Sequence, residues 1–319
     1  MIYDGRYLAI ARTSDACSEL AETFASGRGG QSYLLESPDK LLCVYTALAA
    51  VCAENGGAES AAGRRVLGGK CADVRIAGED GMRAADADEV IGLSAYSPAE
   101  LKRRAFILDF SDTNEAVQNK LLKTLEEPPR GSVFFVIAPA AEKLLPTVAS
   151  RLERISPTLG KGARAVMDTF RGANLPYALY GGADCLSEFD ALLRGVKTDS
   201  LIRAIKLVET INGSAEMARA AALLAVKQRT ELRDIFAYTE RIFGDVMRAY
   251  GGVVTDAQGL FNVKTLADKY PLGGLPAIIR LTRRAAMRAS GGNLAAVADS
   301  FVIGVTEVNH YAKSSGRQV

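Results

Sequence analysis

The stretch from residue 121 to residue 157 constrains the fold of this chain more than any other part of the sequence. It opens with LLKTLEEPP (121–129), a run of good helix formers that ends at two prolines, because proline lacks the N–H that a further turn needs. SVFFVIA (132–138) follows, and its unbroken apolar run predicts a strand buried on both faces of a parallel sheet. EKLLPTVASR (142–151) comes next. The chain is therefore expected to contain a layered α/β structure.

Composition indicates a globular protein of ordinary charge. With 319 residues, of which 48% are hydrophobic and 24% charged, the chain is long enough for two or three domains with their own cores. Its net charge of +2 creates no strong field. Composition alone thus indicates neither nucleic acid nor an acidic membrane as a partner, and any DNA contact must be local.

The cysteines and the N-terminus indicate a reduced, cytoplasmic protein. The 5 cysteines are an odd set at irregular spacing, and the N-terminus lacks a basic segment followed by an apolar core. No run of about 18 apolar residues occurs, so no membrane association is expected. A single histidine, His310, leaves little material for a histidine-based catalytic site.

The first half of the sequence alternates strand signals with helix signals, which predicts a parallel sheet covered on both faces. Strands are predicted over 31–36, 72–76, 104–109 and 133–138. Helices are predicted over 40–54, 86–96 and 113–126.

Beyond Pro157 the strand signals fade and helical patterns take over. Several short helices are predicted between 161 and 210, one of them between the glycines of 181–195. Apolar positions then recur at three- and four-residue spacing through 217–250 and 275–290, which predicts long helices. The second half is therefore expected to be helical throughout.

The segment 121–151 resembles the AAA+ clamp-loader family. The LLKTLEEPP helix, the strand after it and Ser150-Arg151 at the family's spacing carry the resemblance, although Leu152 replaces the cysteine of the family's Ser-Arg-Cys signature. The weaker NLAAVADSFVIGV (293–305) resembles the family's last helix. The resemblance implies an α/β AAA+ P-loop-type domain with a parallel sheet, a small helical domain and an all-α collar domain. We expect these domains at 1–158, 159–210 and 211–319, the first with a degenerate nucleotide site and the last serving oligomerisation.

Arg151 is the residue to which the resemblance gives a catalytic role. The arginine of the family's signature reaches into the ATP site of a neighbouring subunit, so Arg151, preceded by Ser150, is expected to act there in trans. A guanidinium in that position stabilises charge that builds up during phosphoryl transfer. The alternative is an arginine that caps a helix or forms a surface ion pair.

The phosphate loop of an active P-loop protein is missing. Such a loop needs GxxxxGK[ST] between the first strand and its helix, so that backbone N–H groups surround the phosphates. Here the strand runs into Ser37-Pro38-Asp39-Lys40-Leu41, which has no glycine and places a negative charge where an anion would bind. Lys40 is either a relic of the P-loop lysine or an ordinary exposed lysine in a shortened turn.

The remaining ATPase positions are also altered. AFILD (105–109) supplies one carboxylate, Asp109, but Phe110 stands where an ATPase needs a second acidic residue. Ala138 and Pro139 lack the polar side chain that senses the terminal phosphate in the family's ATPases. We therefore expect no intrinsic ATPase activity and no bound cofactor.

A zinc site is not expected either. Members of the family commonly carry a four-cysteine zinc module after the first helix. In this chain Cys52 and Cys71 flank that interval, but residues 54–69 contain no cysteine or histidine. Two thiolates cannot complete a tetrahedral structural site, so these cysteines are interpreted as free thiols beside a degenerate insertion.

Basic side chains outside the signature have weaker assignments. Helix 113–126 is interpreted as amphipathic, with Asn114, Gln118, Lys120 and Lys123 on its polar side. The resemblance implies that this helix lies near the subunit interface and the DNA chamber, which makes Lys120 and Lys123 candidate DNA contacts; solvated surface lysines are the alternative. RLTRRAAMR (280–288) is a second basic cluster, interpreted as a collar-helix surface rather than a DNA site. Arg194 and Arg203 are candidates for the family's second sensor arginine.

The function implied by the resemblance is that of a clamp-loader subunit without catalysis of its own. Its partners would be the motor (gamma/tau) and delta subunits and, through the complex, the sliding clamp and primed DNA, with no small-molecule substrate. Two alternatives remain. One is a working ATPase of the same family with an unorthodox nucleotide site, and the other is an AAA+ relic that serves as a scaffold outside replication.

Overall fold

A computed structural model describes residues 5–79, 81–211, 216–253 and 257–315. The chain divides into two compact units. The first contains Met1–Phe170 with Asp184–Ser187, and the second contains Arg171–Ala183 with Glu188–Val319. Because this division rests on compactness alone, the predicted partition into three domains at 1–158, 159–210 and 211–319 stays a prediction.

The first unit is built on a parallel sheet of five strands in the order β2-β3-β4-β1-β5. The strands are β1 (Ser32–Glu36), β2 (Val74–Ala77), β3 (Arg104–Asp109), β4 (Ser132–Ala138) and β5 (Glu153–Ile155). All seven residues of β4 are buried, as the apolar run predicts for a central strand. The parallel α/β layer is thus confirmed, while the three-residue β5 was too short and too polar to be predicted.

Eight complete helices and the start of a ninth accompany this sheet among the described residues of the first unit. They are α1 (Gly5–Ala11), α2 (Asp15–Ala25), α3 (Lys40–Glu54), α4 (Ala61–Leu67), α5 (Ala84–Ser94), α6 (Glu115–Glu126), α7 (Pro146–Ala149), α8 (Ala163–Met167) and the first residues of α10 (Leu186–Leu193). The sequence analysis assigned no element to the first thirty residues, where α1 and α2 lie. Helix α4 lies in the interval between Cys52 and Cys71, where the sequence analysis expected a degenerate insertion.

Aromatic rings on two consecutive residues of β4 build the core on both faces of the sheet. Phe134 stacks on Phe106 of β3 with ring centroids 5.0 Å apart, on the face that α5 and α6 cover. Phe135 points the other way and stacks on Tyr33 of β1 at 5.6 Å, with Phe24 of α2 beside both rings. Full burial of each such side chain contributes about 2–3 kcal/mol.

The second unit is helical throughout its described residues. Besides the rest of α10 it contains α9 (Leu175–Gly181), α11 (Thr198–Thr210), α12 (Met217–Leu224), α13 (Arg229–Tyr250), α14 (Val263–Lys269), α15 (Leu275–Ala289) and α16 (Leu294–Ser315). Helix α13 packs against α11, α14 and α15. No helix in the described part of the chain is long and apolar enough to cross a membrane.

The helical pattern predicted over 217–250 is interrupted in the structure. Helix α12 ends at Leu224 and α13 begins at Arg229. Arg203 of α11 donates a hydrogen bond to the Leu223 carbonyl at 3.2 Å, which satisfies one of the acceptors that the end of α12 leaves without a helical partner. A contact with another helix therefore stabilises a break that periodicity alone did not indicate.

Asp73 joins the edge of the sheet to the loop before β3. Its carboxylate is wholly buried and accepts hydrogen bonds from the N–H groups of Ala99 (2.9 Å), Glu100 (2.7 Å) and Leu101 (3.0 Å) and from the Arg104 guanidinium (3.1 Å). Burial raises the pKa of a carboxyl group, but these donors outweigh burial and hold the pKa of Asp73 below its ordinary value. Asp73 is thus a buried anion that organises its surroundings.

Replacing Asp73 by asparagine should lower the free energy of unfolding by about 2–4 kcal/mol, because buried donors lose a charged acceptor. The pKa of Asp73 is lower in the folded protein than in the unfolded chain. Its contribution is therefore complete above the unfolded pKa of about 3.9 and is lost as the pH falls below that value. Urea denaturation of the wild type and of Asp73→Asn at pH 7 and pH 3 measures both effects.

Asp88→Asn is the matched control, because Asp88 forms an exposed ion pair with Lys120. Such a pair contributes about 0–1 kcal/mol, so this variant should stay close to the wild type. A loss for Asp73→Asn no larger than that for Asp88→Asn would contradict the assignment.

Candidate functional site

The turn between β1 and α3 stands where a phosphate loop would bind nucleotide. Asp39, which is 6% exposed, caps α3 by accepting a hydrogen bond from the Leu42 N–H at 3.2 Å. The Asp39 N–H in turn donates to the Ser37 hydroxyl at 3.2 Å. The start of α3 is therefore satisfied by side chains of the turn itself.

The Asp39 carboxylate also binds the start of helix α10. It accepts hydrogen bonds from the N–H groups of Leu186 and Ser187 and from the Ser187 hydroxyl, the last two at 3.0 and 2.7 Å. The Leu41 N–H donates back to the Ser187 hydroxyl at 2.9 Å. Helix N-termini attract anions because their N–H groups are unpaired and the helix dipole is positive there. Here the protein's own carboxylate takes the position of the anion, between two helix starts.

Lys40 is engaged in a second internal pair. Its ammonium lies 2.6 Å from Asp109 Oδ2 and donates to the Glu79 carbonyl at 2.9 Å. The other oxygen of Asp109 accepts from the N–H and hydroxyl of Ser111, at 2.9 and 2.6 Å. Phe110 is completely buried in the core. The carboxylate that an ATPase would use for magnesium is thus neutralised by a lysine of the same chain, and the next residue points away from it.

Arg151 lies just beyond α7, on the surface of the first unit. Its guanidinium forms an ion pair with Glu126 at the end of α6 and donates to the Thr147 carbonyl and, at 3.3 Å, to the Ser150 hydroxyl. The LLKTLEEPP helix and the Ser-Arg dipeptide are therefore in direct contact. Leu152, in the place of the family's cysteine, is buried in the core between sheet and helices.

Gln118, which is buried, and Glu36, which is partly buried, hold the loop before Arg151, and the sequence analysis gave neither of them a functional role. Gln118 of α6 is 2% exposed; its amide donates to the carbonyls of Thr113 (3.1 Å) and Lys143 (3.2 Å), and its oxygen accepts from the Leu145 N–H at 2.8 Å. Glu36, at the end of β1, accepts from the Ala141 N–H at 2.9 Å. Both contacts set where α7 begins.

A signal for Gln118 was present in the sequence. Gln118, Leu121 and Leu125 stand at i, i+3 and i+7, which places them on one face of a helix. A polar residue in that series must be buried with its hydrogen bonds satisfied. Assigning Gln118 to the polar face of the helix was therefore wrong.

Comparison with known proteins shows which proteins the first half of this chain is similar to. Residues 12–157 match the family model described as DNA polymerase III, delta subunit. The gamma/tau subunits of DNA polymerase III from Mycobacterium tuberculosis H37Rv and Mycobacterium bovis are 31% identical over 125 residues, covering 34% of this chain. These matches support a clamp-loader-type protein of DNA polymerase III over the matched residues. The matched segment spans 22% of the length of these gamma/tau relatives.

Solved structures of low sequence identity were also found. A gamma subunit-related protein of DNA polymerase III from Thermotoga maritima has a TM-score of 0.48 and 16% identity, covering 92% of this chain and 100% of its own. The Bacillus subtilis DNA clamp loader delta protein has a TM-score of 0.35 and 12% identity, covering 91% and 99%. The parallel sheet and the helical second unit agree with the predicted order of an α/β domain followed by an all-helical region.

The other basic residues that the sequence analysis singled out differ in the partners of their side chains. Lys120 forms an ion pair with Asp88 at 2.6 Å, whereas Lys123, one turn along α6, is exposed and has no side-chain partner among the described residues. Arg194 forms an ion pair with Asp190 at 2.9 Å, and Arg203 contacts the end of α12. Their assignments as DNA contacts and as a sensor arginine stay predictions.

Four of the five cysteines are buried, and Cys185 is partly exposed. Burial raises the pKa of Cys52 and of Cys71 to about 11, so both thiols are protonated at neutral pH. In the part of the chain that the structure describes, no three histidine, cysteine, aspartate or glutamate side chains gather as a metal site would require.

Replacing Asp39 by alanine should lower the free energy of unfolding by about 2–3 kcal/mol, because two helix starts lose a shared acceptor. Amide hydrogen exchange at Leu186 and Ser187 should accelerate in the same variant, since both N–H groups lose their partner. Asp39→Asn keeps one carbonyl oxygen as an acceptor. Its free energy of unfolding and its exchange rates at 186 and 187 should therefore lie between those of the wild type and those of Asp39→Ala. Asp112→Ala, which removes an exposed carboxylate from the loop after β3, is the control and should leave both measurements unchanged. Unaltered exchange at 186 and 187 in Asp39→Ala would refute the bridging role.

Proposed function

We propose that this protein is a non-catalytic subunit of a bacterial clamp loader, of the delta-prime type. It would support ATP-dependent loading of the sliding clamp onto primed DNA by supplying Arg151 to the ATP site of a neighbouring motor subunit. One observation carries the proposal: an internally closed nucleotide position stands in the same unit as an accessible signature arginine.

The absence of intrinsic ATPase activity follows from charge and hydrogen bonding. A triphosphate would need the N–H groups that Asp39 occupies, and the negative charge of Asp39 repels it. Magnesium would compete with Lys40 for Asp109. Phe110 supplies no base to orient water. These features support a subunit that assists ATP hydrolysis elsewhere without performing it.

Arg151 suits a role in trans because its present partner is easily exchanged. The guanidinium is about one-third exposed, and so is Glu126. A surface ion pair of this kind contributes about 0–1 kcal/mol, far less than the interaction of a guanidinium with a triphosphate in a water-excluded site. Glu126 would then hold Arg151 in place until the neighbouring nucleotide replaces it.

The proposed partners are the motor (gamma/tau) and delta subunits, and through them the clamp and primed DNA. An arginine given by one subunit to the nucleotide of the next is a heterologous, head-to-tail contact, which suits an open arc of different subunits. Oligomerisation through the helical second half and a cytoplasmic location belong to the same proposal. The gamma/tau relatives support this assignment.

Arg151→Ala should lower the DNA-stimulated ATPase rate and the clamp-loading rate of a reconstituted loader by about tenfold or more, since a finger arginine contributes roughly 10³ to 10⁵ at its own site in GTPases. Arg130→Ala removes another exposed arginine of the same surface and serves as the matched control. Size-exclusion chromatography checks that both variants assemble. Full activity of an assembled Arg151→Ala loader would refute the role in trans.

A motor-like ATPase is the second candidate, and the gamma/tau identity of the relatives favours it. A titration of the isolated protein with ATP and magnesium separates the two functions, because a closed site predicts no binding up to millimolar ATP. Micromolar, magnesium-dependent binding would establish the motor-like alternative. A scaffold outside replication would show itself by failure to co-assemble with motor and delta subunits.

A further inference from the structure

Helix α15 in the second unit carries an unusual concentration of positive charge. Its 15 residues include Arg280, Arg283, Arg284 and Arg288 and no acidic residue. The opposite face is apolar and buried against α13 and α16. The arginines therefore project from a helix whose position is set by packing on its other side.

Three of these arginines form one exposed row without internal partners. Arg283 pairs with Glu240 of α13 at 2.6 Å. Arg280, Arg284 and Arg288, at i, i+4 and i+8, are exposed and make no hydrogen bond or ion pair through their side chains with the described residues. Residues at this spacing form a continuous ridge, here about 12 Å long. We call these three side chains the arginine ridge.

One end of the arginine ridge borders a small polar notch. Arg284 and Arg288 line it together with Ser300 and the edges of Val297 and Phe301 of α16, around a volume of about 60 Å³. Two guanidinium groups and a hydroxyl are donors that suit a phosphate oxygen. The volume admits a small tetrahedral anion and excludes an aromatic ring.

The charge at this end of α15 is positive despite the helix dipole. The C-terminus of a helix carries partial negative charge on its unpaired carbonyls. Arg229, at the start of α13, donates to the Ala289 carbonyl at 3.3 Å and to the Gly292 carbonyl at 2.8 Å, which compensates that charge. Asp299 of α16 precedes Ser300 and forms no ion pair with the ridge. Among the residues that the structure describes, no acidic side chain therefore forms an ion pair with the arginine ridge.

We propose that the arginine ridge binds the phosphate backbone of double-stranded DNA without sequence preference. Unpaired guanidiniums in a row match a line of phosphates, and the notch holds one of them by two arginines and Ser300. Proteins that hold single strands add aromatic platforms for the bases, and no exposed aromatic residue stands on this face of α15. Duplex DNA therefore fits the ridge better than a single strand.

This inference rests on the proposed function only in the choice of DNA as the polyanion. Arg151 lies in the first unit, and the ridge lies in the second. Binding by the purified chain alone tests the ridge. Assembly and ATPase measurements test the proposed function, so the two can fail separately.

The experiment measures the fluorescence anisotropy of a labelled duplex of about 30 base pairs as the full-length chain is added. The titration is repeated at salt concentrations from about 50 to about 200 mM NaCl, a range over which counterion release changes the affinity measurably. The triple variant Arg280→Gln, Arg284→Gln, Arg288→Gln should bind about tenfold or more weakly at 100 mM salt, and its slope of log K against log salt should fall by about 2–3. Thermal melting checks its fold.

The matched control removes the same charge elsewhere in the second unit, by Lys206→Gln, Arg219→Gln and Lys264→Gln, all exposed residues outside α15. This variant should keep most of the affinity and of the salt slope. Equal losses in both triple variants would overturn the proposal in favour of general charge. Unchanged DNA binding by the ridge variant would overturn it as well, and a selective loss of assembly would then assign the ridge to an acidic protein surface.

Discussion

The arrangement of the first unit depends on one buried carboxylate between two helix starts. Asp39 accepts hydrogen bonds from the beginning of α3 and from Leu186 and Ser187 at the beginning of α10. An anion at that position satisfies donors that would otherwise stay unpaired. In a nucleotide-binding relative a phosphate can do this only while nucleotide is bound, whereas a carboxylate on the chain does it permanently. Asp39 therefore satisfies the donors of both helix starts from within the chain.

A second internal pair completes this substitution. Lys40 and Asp109 would face a phosphate and a metal ion in an active enzyme, and here they neutralise each other at 2.6 Å. Neither of these two residues therefore carries a buried charge without a partner. An unpaired buried charge would destabilise the fold at this position. Meanwhile Gln118 and Glu36 keep the loop before α7 in place, so that Arg151 remains presented at the surface. Different side chains thus hold the turn before α3 and the loop before Arg151.

Local signals predicted the elements that depend on neighbouring residues. The structure places α3 over Lys40–Glu54 and β3 over Arg104–Asp109, as predicted, because a capping aspartate and a terminal carboxylate mark their ends. Helices α1 and α2 received no prediction. The break after Leu224 was missed because a side chain of another helix stabilises it. Gln118 was assigned to the wrong face, although its spacing indicated burial.

The sequence by itself determined the parallel sheet, the missing glycines of the phosphate loop and the presence of Arg151 after its signature helix, since each of these follows from residue types at short spacing. Only the tertiary structure decided which side chains bind the free N–H groups and charges of the turn between β1 and α3. Asp39 meets Ser187 across 148 positions of the chain, and Lys40 meets Asp109 across 69 positions. Such contacts arise when the sheet and its helices pack, because they depend on where distant strand and helix ends come together in space.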